Sequence, residues 1–204
     1  MQSIESKILS RIYGRGRGWA FSQNDFANLG SRSAIDWSMH QLVKKRKIRR
    51  VMRGIYDYPK YSEKLNQDLS PNIDKVAQAI ARKFNWHIQP SGPAAQNILG
   101  LSTQVPGKYS YNSNGPDRNY TIGKTDLSFI NTPTKEAEFK IHESAIIVQA
   151  LKSFKENNIT PLTIKTVRKW LNPNLRLKVL NDTRTVTGWV YEAIRKICRE
   201  NSDG

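Results

Sequence analysis

The sequence predicts an α+β protein: an N-terminal winged helix-turn-helix in residues 1–60, then an α+β domain in residues 61–204 with a small, mainly antiparallel sheet and a helical C-terminal part. Three observations predict it. Helical patterns and then a hairpin pattern fill the first 60 residues, three strand patterns cluster between residues 108 and 130, and the remainder repeats apolar residues at helical spacing. A length of 204 residues suits two small domains, and 38% hydrophobic residues with five Trp are enough for two cores.

In residues 3–13, Ile4, Ile8 and Ile12 recur at every fourth position beside Leu9, which is the pattern of a short amphipathic helix. The run "GRGRG" then stops it, because three glycines in five residues make a poor helix interior. It reads as a loop that carries Arg15 and Arg17. Ser22 with Asp25 three residues on is a capping-box pattern, and Gly30 can supply a left-handed stop. Ser33 with Asp36 repeats the box and opens a third helix that runs to Lys47, so two capped helices meet at a turn near Gly30.

At about 100° per residue, Ile35, Met39, Leu42 and Val43 share the core side of that third helix. Ser33, Asp36, Trp37, His40, Gln41 and Lys44 fall on the other side, an odd place for polar and aromatic groups together unless something docks there. β-Branched and aromatic residues flank Arg53-Gly54, which predicts a hairpin of residues 48–52 and 55–58, closed by Pro59. Residues 60–69 read as a connector.

Beyond it, Ser70-Pro71 looks like a cap with proline at the first helical position, and Ile73, Val76, Ala77, Ile80, Ala81 and Phe84 form an unbroken helical ladder. Residues 85–92 read as a short strand and turn, and residues 93–100 as a small helix. Strands follow in "KYSYN", "RNYTIG" and "TDLSFI". Residues 141–157 and 163–172 are helical, and Val186, Trp189, Val190, Ala193, Ile194 and Ile197 repeat the ladder in a last helix.

Charge narrows the function classes. The chain carries 33 Lys+Arg against 17 Asp+Glu, a net charge of +16, and residues 1–60 alone hold thirteen of the basic residues against four acids. Such a surface attracts polyanions, of which nucleic acid is the commonest. A single cysteine, Cys198, excludes an internal disulfide, and His40, His87 and His142 lack ligand spacing, so no metal or other cofactor is expected. The N-terminal segment lacks the apolar stretch of a signal peptide and no run approaches a membrane span, so the expected location is cytoplasmic.

The stretch "KKRKIRRVMRG" interleaves Ile48 and Val51 with its charges, which a disordered tag does not need. It reads as the phosphate-gripping corner of the wing. The expected DNA contacts are Ser33, Trp37, His40, Gln41 and Lys44 on the helix, with Arg32 at its start and Lys45 and Lys47 at its end. Arg49, Arg50 and Arg53 sit on the wing, and Arg15 and Arg17 form a secondary minor-groove hook. Against this stands a metal-dependent nuclease reading, with Asp126 and Glu138 to hold magnesium and Lys140 to assist water attack, a pattern that solvated helix-entry charges also produce. Cys198 reads as a small core thiol, and His87 as a strand residue.

The residues "FSQNDFANLGSRSAIDWSMHQLVKKRKIRRVMRGIYDYP", then "IQPSGPAAQNILGLSTQVP" and "NGPDRNYTIG", resemble the AbiEi-like transcriptional regulators, the antitoxin side of type IV (AbiE) toxin-antitoxin systems. The likeness runs from about Arg11 to Phe129. It rests on Asp25-Phe26, Gly30-Ser31, Ala34-Ile35-Asp36, Ile48-Arg49-Arg50, Gly54-Ile55-Tyr56 and residues 101–106. The resemblance implies a winged helix that binds inverted repeats of double-stranded DNA in its own promoter. It also implies a C-terminal domain that neutralises a nucleotidyltransferase-like toxin encoded beside it. A stand-alone regulator without a toxin partner is the alternative.

Overall fold

A computed structural model describes residues 3–102, 107–132, 139–154 and 156–199. The chain divides into two units, Met1–His87 and Ile88–Gly204. Both mix helices with small sheets, and the C-terminal part is helical.

In the first unit, α1 (Ile4–Arg15) starts where Ser3 accepts the Ser6 amide at 3.1 Å, and it buries Ile8 and Ile12 completely. It runs two residues further than the sequence predicts. Gly16, at φ 81°, ends it, so Arg15 lies in the last helical turn and not in a loop. A two-residue strand, β1 (Ala20–Phe21), follows; it is too short for any periodicity to announce.

The Ser22–Asp25 capping box is present, with the Ser22 amide donating to Asp25 Oδ2 at 2.8 Å, but the segment Gln23–Leu29 that it opens is a 3-10 helix. Gly30 has an extended φ of 169° and makes no left-handed stop. It is small because a Cβ there would stand 2.6 Å from Ile4 Cδ1.

Helix α2 (Arg32–Lys44) is capped by Ser31, whose Oγ accepts the Ala34 amide at 3.4 Å. Ser33, expected to be the cap, therefore lies inside the first turn, and Asp36 instead accepts from Gln23 Nε2 at 2.7 Å. The facial reading holds: Ile35, Met39 and Leu42 are buried, and Trp37 is 61% exposed. The helix stops before Lys47, because Arg46 turns left-handed (φ 54°) while the Arg46 and Lys47 amides donate back to the Val43 and Leu42 carbonyls.

Strands β2 (Arg49–Met52) and β3 (Ile55–Asp57) form the expected hairpin around Arg53-Gly54, where Gly54 has φ 75°. The sheet order is β1-β3-β2, antiparallel throughout, with an irregularity between Arg50 and Met52. Ile8, Ile12, Phe21, Phe26, Ile35, Met39, Leu42 and Ile48 make one core beneath it.

The unit continues past residue 60. The expected connector holds a small hairpin, β4 (Tyr61–Ser62) with β5 (Gln67–Asp68). Helix α3 (Ile73–Phe84) then begins two residues later than the proline suggests, because Asn72 Oδ1 accepts the Lys75 amide at 3.0 Å. It is tied to the N-terminal elements: Arg82 donates to Asp25 Oδ1 and to the Ala20 carbonyl, each at 2.8 Å, and Asn24 donates to the Lys83 carbonyl. Phe84, the last rung of its ladder, is 47% exposed and stacks on Trp86 at 5.0 Å.

The second unit opens with β6 (Ile88–Pro90) and α4 (Gly92–Ile98). β7 (Lys108–Ser113), β8 (Arg118–Ile122) and β9 (Thr125–Asn131) complete a sheet of order β6-β7-β9-β8. The sheet is mixed, because β9 returns between β7 and β8 and so runs parallel to β7. Asn131, at the end of β9, donates from its amide to Asp117 Oδ1 (2.6 Å) and from its side chain to the Gly115 carbonyl (2.8 Å).

Helices α5 (His142–Phe154), α6 (Pro161–Trp170), α7 (Arg176–Asp182) and α8 (Gly188–Cys198) form the helical part. Its core joins Ile147, Leu151, Val167, Leu171, Val190 and Ile194. α7 has only seven residues, too few for a readable period. Among the described residues no helix is long and apolar enough to cross a membrane.

Candidate nucleic-acid interface

Residues 32–57 contain eight basic side chains and two acids, and both acids are engaged within the fold. The register explains the first commitment. Arg49 lies directly opposite Asp57, so the two side chains share a face of the hairpin. Arg49 Nε and Nη2 reach Asp57 Oδ1 and Oδ2 at 3.0 and 2.6 Å, and its Nη1 donates to the Leu69 carbonyl at 2.9 Å. Burial pushes the Asp57 carboxyl up from its ordinary value, although the Arg49 guanidinium holds it down and Asp68 adds to the rise. Arg49 therefore orients the hairpin. All three of its nitrogens already have acceptors, so the phosphate contact expected of Arg49 would compete with Asp57 and the Leu69 carbonyl.

Lys45 is likewise committed, to Glu5 at 2.6 Å. Arg32, Lys44, Arg46, Lys47, Arg50 and Arg53 remain exposed, with no ion-pair partner among the described residues. Arg32, Ser33, Trp37, His40 and Lys44 all reach solvent from α2, and Gln41 is half-buried beside them. An indole that is 61% exposed amid polar groups gains nothing for the isolated fold, whereas an aromatic body with a polar edge suits an interface.

Arg15 and Arg17 have aromatic neighbours in the same unit. Arg15 lies over the Trp19 ring (5.8 Å), and Arg17 lies over Tyr58 (4.8 Å) while donating to the Pro59 carbonyl at 2.9 Å. Both line a cavity shared with α3.

Two cations escaped the sequence reading. Arg46, in a left-handed turn at φ 54°, is exposed without an ion-pair partner among the described residues. Lys83 comes from α3 to the hairpin tip, where a Cβ on Gly54 would stand 2.6 Å from its Nζ. Nothing in a sequence separation of about thirty residues announces that approach.

The residues of the nuclease reading have other partners where the structure describes them. Asp126 accepts from Thr121 Oγ1 at 3.0 Å, the Lys140 amide donates to Asp182 at 3.0 Å, and Glu138 lies outside the described residues. Among the described residues no group of three His, Cys, Asp or Glu could hold a metal ion. Burial pushes the Cys198 thiol up to about 11, so it is not a thiolate at neutral pH.

One family model, described as "Family of unknown function (DUF6088)", matches residues 7–178. No curated protein matches the chain.

Proposed function

We propose that this chain, which belongs to the DUF6088 family, binds double-stranded DNA through its first unit, folded as a winged helix with α2 in the major groove. The observation that carries this reading is an exposed indole, Trp37, on a helix that with the following hairpin exposes Arg32, Lys44, Lys47, Arg50 and Arg53, none with an ion-pair partner among the described residues. The order helix, strand, 3-10 helix, helix, hairpin, with β1 on the far side of β3 from β2, supports the winged-helix assignment. Ser33, Trp37, His40 and Gln41 are the base-edge candidates. The free arginines and lysines neutralise phosphates and release counterions.

The test is a binding titration on the chain's own upstream DNA between 50 and 200 mM salt, values at which about 0.9 counterions are released per phosphate contact. In Arg50→Ala/Arg53→Ala the log-log salt slope should become shallower by about 2, with affinity reduced and thermal stability kept. Binding that ignores salt would end the proposal.

We further propose that the protein represses its own operon as the antitoxin of a type IV pair, with the second unit acting on a nucleotidyltransferase-like toxin. A cavity of about 1050 Å³ between α6 and α8 favours a protein partner there. Ile159, Ile164 and Trp189 give it an apolar floor, Arg176 Nε on its wall is buried without an acceptor among the described residues, and Leu162 and Leu177 are each 70% exposed. Co-expression with the adjacent open reading frame decides the matter. Failure to rescue growth from a toxic neighbour leaves a stand-alone regulator.

A further inference from the structure

A second cationic site lies in the first unit, in a cavity of about 400 Å³ between the end of α1, its following loop and one face of α3. Asn72, Lys75, Gln78 and Arg82 recur at spacings of three and four, so one face of α3 supplies them all. Arg15, Arg17 and Lys60 complete the wall. Five cations thus surround one carboxylate, Asp25, a surplus of four charges.

That carboxylate is already occupied, by Arg82 Nε at 2.8 Å and by the Ser22 amide at 2.8 Å. Arg15 and Arg17 lie over the Trp19 and Tyr58 rings and have no carboxylate partner among the described residues. The Lys60 stem lies across Gly18 so closely that a Cβ there would stand 2.8 Å from Lys60 Cε, and Gly18 adopts φ 89°. Neither Lys60 nor Lys75 has a side-chain acceptor among the described residues. A fold that gathers like charges without neutralising them carries a repulsion that a polyanion would relieve.

We propose that this cavity binds a ligand with two or more clustered phosphate groups, as found in inorganic polyphosphates and nucleoside di- and triphosphates. Arginine forks match phosphate oxygens in pairs, and the volume suits a small molecule; Gln78 on the wall already donates to Asp74 Oδ2 at 2.6 Å, and Asn72 Oδ1 caps α3, so the cations carry the site. The same chemistry is present in a DNA backbone. The cavity, however, borders β1, at the opposite edge of the sheet from β2, so a free ligand is favoured. The inference does not depend on the DNA-binding proposal.

The experiment titrates sodium tripolyphosphate into the full chain by calorimetry in the absence of DNA, and in parallel titrates duplex DNA. Saturable binding of one tripolyphosphate per chain is expected, weakened at least about tenfold in Lys60→Glu/Lys75→Glu. Both lysines are exposed, and the melting temperature of that variant reports that it folds. Arg50→Ala/Arg53→Ala should leave tripolyphosphate binding unchanged. No binding, equal binding in the lysine variant, or loss in the hairpin variant instead overturns the site. If tripolyphosphate does not bind but duplex affinity falls in the lysine variant, the cavity serves the DNA backbone and the free-ligand proposal is overturned.

Discussion

Replacing Arg49 by alanine is expected to destabilise the first unit by about 3 kcal/mol, the low end for breaking a buried ion pair, because Arg49 keeps some solvent contact. Two bonds to Asp57 and one to the Leu69 carbonyl disappear together, and Asp57, 2% exposed, is left as a buried charge without its counterion. For a unit of this size the melting temperature should fall by roughly 10 °C or more. Arg50→Ala, one residue away and exposed, should change stability by no more than about 0.5 kcal/mol.

The pH dependence has a sign. The folded pKa of Asp57 is raised, so its contribution to stability is present below the unfolded carboxylate value and is lost as pH rises through the folded value. Removing Arg49 removes the two influences that hold that pKa down, so the loss on raising pH becomes larger in the variant. The stability gap between wild type and Arg49→Ala should therefore widen toward neutral pH and narrow on acidification until Asp57 is protonated. Thermal melts across the acid range measure this, and a gap independent of pH would show that the guanidinium acts through packing alone.

Trp37→Ala is expected to produce the largest loss of DNA affinity among single variants, about 10- to 100-fold, equivalent to roughly 1–3 kcal/mol for a specific contact. Its indole is 61% exposed and buries little within the chain, so the same change should leave stability within about 0.5 kcal/mol. Anisotropy titrations on the upstream DNA and on a scrambled duplex separate the possible roles. A drop confined to the upstream sequence assigns Trp37 to base readout, an equal drop on both assigns it to shape, and an unchanged affinity removes α2 from the interface.

Much of this site is legible locally. The two faces of α2 follow from an arc of 100° per residue, which places Ile35, Met39 and Leu42 in the core and Trp37 and His40 in solvent whatever the rest of the chain does. The hairpin is equally local, since Arg53-Gly54 and its flanking strand formers lie within ten residues. Caps were harder to read. Ser31 and Ser33 carry the same hydroxyl two residues apart, and Asn72 competes with Ser70-Pro71, so composition alone does not choose between them. By composition residues 60–69 look like a linker, whereas the contacts of the chain group residues 1–87 as one unit. α3 belongs to the first unit through Arg82 and Asp25, 57 residues apart.

Periodicity and turn chemistry, which act over a few residues, determined the longer helices, the hairpin and the exposed face of α2 directly from the sequence. Which cations stay free was decided only by tertiary structure. Arg49 and Arg50 are chemically identical neighbours, yet strand alternation turns one toward Asp57 and Leu69 and the other toward water. Arg15 and Arg17, which look like part of a flexible hook, are instead held over Trp19 and Tyr58 beside a helix some sixty residues further on. The charge of a side chain is written in the sequence, but its availability depends on the acceptors that folding brings within 3 Å.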